Sequence, residues 1–173
     1  MVERVAVFVD GQNLYQALKA HHIGRVDYDR LAAEFSAGYG NLVYKYMCMG
    51  VFRREDGFCP PIRFMDALKY KGWEVDKARV EMGREKEADA ALTWKMAEGL
   101  HRDRWDVLLL FSGDGDLAYP VWKLRQGGKR VIVVQFQNFI SLYLAGAASE
   151  VVLLDEVSLD RFKIDGDPSA KVA

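Results

Sequence analysis

The chain has 173 residues, of which 50% are hydrophobic and 28% are charged, and its formal net charge is −1. This length and composition predict a single domain over residues 1–164, followed by a flexible tail at 165–173. The small net charge excludes a globally basic surface, so a site for a polyanion has to be a local basic patch. Because no apolar run is long enough to cross a bilayer and a strand follows the N-terminus directly, we expect a cytoplasmic protein with no membrane partner.

Short apolar runs alternate along the chain with segments of helical periodicity. The predicted strands are 5–9, 41–52, 73–80, 107–111 and 131–136, and a short last strand is expected at 151–154. The predicted helices are 13–20, 28–35, 62–71, 85–102, 117–126 and 138–148. The polar residues within the strand predicted at 73–80 favour an edge position. This alternation predicts an α/β fold in which helices cover both faces of a mostly parallel sheet.

Three acidic residues follow two of the buried strands. Asp114 and Asp116 come directly after the apolar run 107–111, and Asp10 follows the run 5–9. Ligands of open α/β sheets bind outside the carboxyl ends of the strands, at the point where the strand order reverses. For Asp10 and Asp114 to meet, the first and fourth strands must be neighbours, which places that reversal between them.

A fourth carboxylate comes from the long helix predicted at 85–102. Asp89 shares a helical stripe with Leu92, Met96 and Leu100, which face the core. An ionised group there is unfavourable unless a positive charge compensates it. The alternative is that Asp89 serves the first turn of its helix, where a carboxylate interacts favourably with free N–H groups.

The four aspartates form an all-oxygen set, which suits Mg²⁺ or Mn²⁺. Zinc is not favoured, because Cys48 and Cys59 lack the paired spacing of a zinc site and no histidine array lies near the acids. Each residue also has a simpler explanation: Asp-Gly and Gly-Asp-Gly are common in turns, and Asn13 and Ser112 can be capping residues. Their joint occurrence at the ends of two buried strands favours the metal site.

Three blocks of the sequence resemble the signature motifs of the NYN domain family, which is related to the PIN-domain nucleases. They are VFVDGQN at 7–13, KEAD at 86–89 and LFSGDGD at 110–116, and the resemblance extends from residue 5 to about 154. It implies a PIN-like three-layer α/β sandwich with strand order 3-2-1-4-5 and a metal-dependent endoribonuclease site. It also implies that Asp10, Asp89, Asp114 and Asp116 are the acidic metal ligands and that Asn13 and Ser112 line the catalytic site.

Basic and aromatic residues offer a path for single-stranded RNA, the expected partner. Arg53, Arg54 and Lys86 are the candidate substrate-binding residues, although Lys86 can equally pair with a nearby acid. Bases could stack on the aromatic side chains of Phe58, Trp73 or Tyr119. Asp10 also resembles the nucleophile of an aspartyl phosphatase, but that reaction would need a second aspartate where Gln12 stands. A stronger alternative is a regulatory RNA- or protein-binding module that keeps the acidic pocket with little turnover, and a homo-oligomer is also compatible with the composition.

Overall fold

A computed structural model describes residues 2–51, 61–81, 84–85 and 87–164. Its strands are β1 (Arg4–Asp10), β2 (Asn41–Val51), β3 (Glu74–Glu81), β4 (Arg84–Glu85), β5 (Val107–Phe111), β6 (Arg130–Gln135) and β7 (Glu150–Leu153). Its α-helices are α1 (Gly11–Ala20), α2 (Tyr28–Ala37), α3 (Pro61–Tyr70), α4 (Ala88–His101), α5 (Ala118–Gln126), α6 (Leu142–Ala147) and α7 (Glu156–Asp160). The predicted tail at 165–173 lies outside the described residues.

The strands form one sheet in the order β4-β3-β2-β1-β5-β6-β7. Every neighbouring pair is parallel except β3 and β4, whose two-residue pairing is antiparallel. Without β4, the six parallel strands follow the order 3-2-1-4-5-6 in chain numbering. The predicted α/β class and the order 3-2-1-4-5 are therefore confirmed, and β7 continues the sheet beyond them. The order reverses between β1 and β5, so the carboxyl ends of these two neighbours flank the expected ligand position.

Helices cover both faces of the sheet, which gives the three layers. On β1, the side chains of Val5, Val7 and Val9 belong to the core under α1, α2 and α3, and those of Ala6 and Phe8 belong to the core under α4, α5 and α6. Successive residues of a strand point to opposite faces. An uninterrupted apolar run such as 5–9 is therefore what a strand between two helical layers requires.

Several element boundaries differ from the predicted ones. The helix predicted at 85–102 begins at Ala88, because the backbone of Arg84–Glu85 pairs with the end of β3. The helix predicted at 117–126 is preceded by a 3-10 turn at Gly115–Leu117. The helix predicted at 138–148 is a 3-10 turn at Gln137–Phe139 followed by α6, and α7 was not predicted. Among the helices in the described part of the chain, none has the length and apolar composition needed to cross a membrane.

Candidate metal and phosphodiester site

Asp10 and Asp114 lie at the carboxyl ends of neighbouring strands. Val9 of β1 pairs with Phe111 of β5, so the residues that follow each strand reach the same edge of the sheet. Asp10 is the N-cap of α1, and its Oδ1 accepts a hydrogen bond of 3.0 Å from the backbone N–H of Asn13. Asp114 caps the following 3-10 turn in the same way, since its Oδ1 accepts from the backbone N–H of Asp116 at 3.0 Å. In each case, the capping hydrogen bond fixes the orientation of a carboxylate at the start of a helical segment.

Ser112 links the carboxylate of Asp10 to the backbone of Asp114. Its hydroxyl donates to Asp10 Oδ2 at 3.0 Å and accepts from the backbone N–H of Asp114 at 3.1 Å. The residue is fully buried, and it is not among those that line the cleft beside the acids. The hydroxyl proton is committed to Asp10, so Ser112 orients the acidic residues rather than offering a donor to a substrate.

The first turn of α4 brings Asp89 to the same place. One carboxylate oxygen each from Asp10, Asp89 and Asp114 can be chosen so that all three lie within 4.8 Å of one another. Asp10 is buried, at 4% exposure, whereas Asp89 and Asp114 are half-buried. Asp116, predicted as a fourth ligand, is exposed and lies outside this group of three. The structure therefore brings three of the four predicted ligands together, and Asp116 lies outside this group.

Burial and neighbouring negative charges disfavour the ionised forms of Asp89 and Asp10. Burial, followed by the charges of Asp114, Asp10 and Asp116, raises the pKa of Asp89 from 3.8 to about 6. Burial also raises the pKa of Asp10, against the hydrogen bonds from Asn13 and Ser112 that favour its ionised form. A divalent cation would remove this repulsion. Because the donors are all carboxylate oxygens, they fit a hard cation such as Mg²⁺ or Mn²⁺.

Asn13 is held by a polar network that includes a residue the sequence did not single out. Its side-chain Oδ1 accepts from the backbone N–H of Gly113 at 2.9 Å and from Gln135 Nε2 at 2.8 Å. Gln135 is fully buried at the end of β6, and its Oε1 accepts from the backbone N–H of Phe136 at 2.9 Å. The sequence feature that could have indicated Gln135 is its amide side chain directly after the buried apolar run 131–134.

A cleft of about 280 Å³ lies beside the acids. It is lined by Asp10, Gln12, Asn13, Gln16, Ala88, Asp89, Asp114 and Phe139. Three of these residues are the clustered carboxylates, and Gln12, Asn13 and Gln16 add amide groups from α1. The cleft thus combines a negative centre with neutral hydrogen-bonding groups.

The predicted substrate contacts are only partly described. Arg53, Arg54 and Lys86, together with Phe58, lie outside the described residues. Trp73 is the wrong choice for a stacking surface, because it is 3% exposed and its Nε1 donates to Asp29 Oδ1 at 3.1 Å. Tyr119, on the first turn of α5, is 66% exposed.

Comparison with known proteins places the chain in a family. The family model of the NYN domain matches residues 4–155. A protein of unknown function, VPA0982 from Vibrio parahaemolyticus, has a similar crystal structure, with 23% identity and a TM-score of 0.71 over 90% of this chain and 94% of that one. A nicotinamidase from Staphylococcus aureus gives 11% identity and a TM-score of 0.37 over 85% and 90% of the two chains, too low to support an argument. No protein with a curated function matches. The match over residues 4–155 covers most of the chain, which therefore belongs to the NYN domain family.

Proposed function

We propose that this protein is an endoribonuclease that uses Mg²⁺ or Mn²⁺ to hydrolyse phosphodiester bonds of single-stranded RNA. The NYN domain has a PIN-like fold of the nuclease type. The observation that carries the proposal is the group formed by Asp10, Asp89 and Asp114, whose oxygens approach within 4.8 Å at the edge where the strand order reverses. The cytoplasm is the location we expect for this activity.

The proposed reaction gives the polar residues of the site two tasks, which are to hold the cation and to fix the orientation of the Asp10 carboxylate. Asp10, Asp89 and Asp114 would hold the cation, and the exposed Asp116 would contribute through water. When bound, a divalent ion supplies Lewis-acid activation of water and neutralises charge on the phosphoryl oxygens. Ser112 and the backbone N–H of Asn13 keep the Asp10 carboxylate in one orientation through both of its oxygens. Such fixed groups lower the reorganisation needed during the reaction.

A metal titration and a cleavage assay test this proposal. We expect Mn²⁺ to bind to the purified protein and to support cleavage of a fluorescent single-stranded RNA. Asp114→Asn removes one of the three proposed charged ligands, so cleavage should fall by at least about 100-fold, while the folded state persists. Asp66→Asn, an exposed change on α3, is the matched control and should leave cleavage unchanged.

Two outcomes would contradict the proposal that this protein is a nuclease. Full activity of Asp114→Asn at saturating Mn²⁺ would remove the proposed role of the acidic group. Mn²⁺ binding without cleavage of any RNA would favour the regulatory module that keeps the pocket. The Asp66→Asn control separates the expected loss of cleavage in Asp114→Asn from a general effect of losing one negative charge.

A further inference from the structure

The orientation of the Asn13 carboxamide is fixed by backbone donors. The backbone N–H of Gly113 is always a donor, so the Asn13 atom that it contacts at 2.9 Å has to be the oxygen. The backbone N–H of Phe136 likewise identifies Gln135 Oε1, which leaves Gln135 Nε2 to donate to Asn13 Oδ1 at 2.8 Å. Rotating either amide by 180° would place donor against donor. The network therefore has one consistent arrangement.

This arrangement determines which atom of Asn13 is available in the cleft. Oδ1 already accepts two hydrogen bonds, which fill its two acceptor positions. Within the described part of the chain, no acceptor is hydrogen-bonded to Nδ2, and Asn13 lines the same cleft as Asp10, Asp89 and Asp114. An amide nitrogen donates hydrogen bonds and does not ligate a hard cation. Asn13 thus presents N–H groups beside carboxylates that can only accept when ionised.

We propose that Asn13 Nδ2 donates a hydrogen bond to a non-bridging oxygen of the RNA phosphodiester, and that Gln135 is the positioning residue that aims it. This inference rests on the proposed function, which brings a phosphate to the carboxylate-bound cation. Negative charge on such an oxygen grows in the transition state, so a donor of fixed direction stabilises that state more than the bound substrate. Asn13 is then a catalytic residue and not a metal ligand.

Asn13→Asp tests the donor while preserving its surroundings. An aspartate at this position still accepts from Gly113 and Gln135, but it replaces the N–H groups by a charged acceptor. Gln16→Glu is the matched control, since it adds the same charge to the same cleft at an exposed residue outside the network. We expect the kcat of Asn13→Asp at saturating Mn²⁺ to lie about 100-fold below that of Gln16→Glu. By calorimetry, the two variants should bind Mn²⁺ with affinities within about three-fold of each other, because neither residue ligates the ion.

Two results would overturn the assignment. One is a kcat for Asn13→Asp within about three-fold of the Gln16→Glu value, which would mean that the donor is dispensable. The other is Mn²⁺ binding more than about ten-fold tighter than in Gln16→Glu, which would identify position 13 as a metal-ligand position.

A double-mutant cycle tests the role of Gln135. Gln135→Glu keeps the acceptor for Phe136 and replaces the Nε2 donor with a carboxyl group that donates to Asn13 only when it is protonated. We expect its kcat, relative to wild type, to fall as the pH rises and the carboxyl group ionises. In the Asn13→Asp background, the same change should lower kcat by less than about two-fold, because it acts through a group that is already lost. Full multiplication of the two effects would show that Gln135 acts independently of Asn13.

A binding experiment keeps this inference separate from the nuclease proposal. If wild-type protein with Mn²⁺ cleaves no RNA, the proposed function fails, and the Asn13 assignment is then decided by nitrogen-15 NMR. The side-chain amide signals of Asn13 are those missing from Asn13→Asp. With Mg²⁺ present, the dinucleotide uridylyl-uridine should shift these signals more than the Gln16 signals. Equal or smaller shifts would overturn the assignment.

Discussion

At Asp89, burial and three neighbouring carboxylates act on one titratable group. They raise its pKa from 3.8 to about 6. A carboxyl group with a raised pKa in the folded state keeps its proton after the unfolded chain has lost it. In the metal-free protein, this group therefore favours folding less and less as the pH rises from about 4 to about 6, and the penalty is complete at pH 7.

Asp89→Asn should consequently stabilise the metal-free protein. Because Asp89 is half-buried and partly screened by solvent, we expect a gain of about 1 kcal/mol in the free energy of unfolding at pH 7. The gain should be largely lost near pH 3, where most of the wild-type carboxyl group is protonated in both states. Urea unfolding at the two pH values, in the presence of a chelator, measures this difference. Equal gains at both pH values would mean that electrostatic repulsion is not the cause.

At pH 7, added Mn²⁺ should stabilise the wild type more than Asp89→Asn. A ligand that binds the folded state stabilises it in proportion to its affinity, and Asp89→Asn removes one charged oxygen donor. We therefore expect Mn²⁺ to raise the melting temperature of the wild type more than that of the variant. A larger rise for Asp89→Asn would contradict the assignment of Asp89 as a ligand.

Individual site residues differed in how well the sequence could predict them. Asp10 and Asp114 follow apolar strands, so the expected strand order alone was enough to bring them to one edge. Gln135 was not singled out, because its contact with Asn13 joins positions 122 residues apart and depends on side-chain directions that the strand order does not give. Ser112 was included, and in the structure it is completely buried and donates to Asp10.

For the secondary-structure elements, the first and last residues were harder to predict than the central ones. The apolar stripe of α4 gave the position of the helix, since Leu92 and Met96 are buried as expected. The predicted start of α4 at residue 85 was wrong, because the pairing of Arg84–Glu85 with β3 is a tertiary contact that overrides the local helix preference. The helix expected at 138–148 was wrong at its start because Ser141 caps α6 through the N–H of Tyr143.

The turn between β5 and α5 depends on a close approach of two backbone segments. Ser141 donates its backbone N–H to the Gly113 carbonyl at 2.9 Å, and a Cβ at position 113 would collide with the carbonyl oxygen of Phe139. Backbone atoms cannot yield as a flexible side chain does. The glycine in the Ser-Gly-Asp sequence is therefore required by the packing of these two backbone segments.

Gly113→Ala should thus destabilise the protein by about 2 kcal/mol or more, which is in the range of overpacked sites. Since Gly113 also donates to Asn13, the substitution should lower RNA cleavage in the remaining folded protein. Gly146→Ala on α6 is the matched control, because a Cβ there meets nothing within 4 Å. That change should be neutral or slightly stabilising in a helix. Equal losses in chemical unfolding would show that the backbone contact does not limit position 113.

For the whole molecule, the net charge of −1 means that attraction of the proposed RNA substrate would have to come from local features. One such feature lies on α5, the helix that follows the acidic turn. The rings of Tyr119 and Trp122 are 5.9 Å apart, and Lys123 Nζ lies 4.7 Å from the Trp122 ring centroid and 5.6 Å from that of Tyr119. Exposed aromatic rings beside a cation can stack bases and contact phosphate together.

Tyr119→Ala should therefore weaken binding of single-stranded RNA by about 10-fold, corresponding to the loss of one stacked base. The residue does not belong to the acidic group, so kcat at saturating RNA should change little and the loss should appear in KM. Tyr70→Ala on α3 is the control, because it removes a tyrosine of 94% exposure from the other face of the sheet. Fluorescence anisotropy with labelled RNA measures both variants. If both bind RNA as tightly as the wild type, the substrate does not cross the first turn of α5.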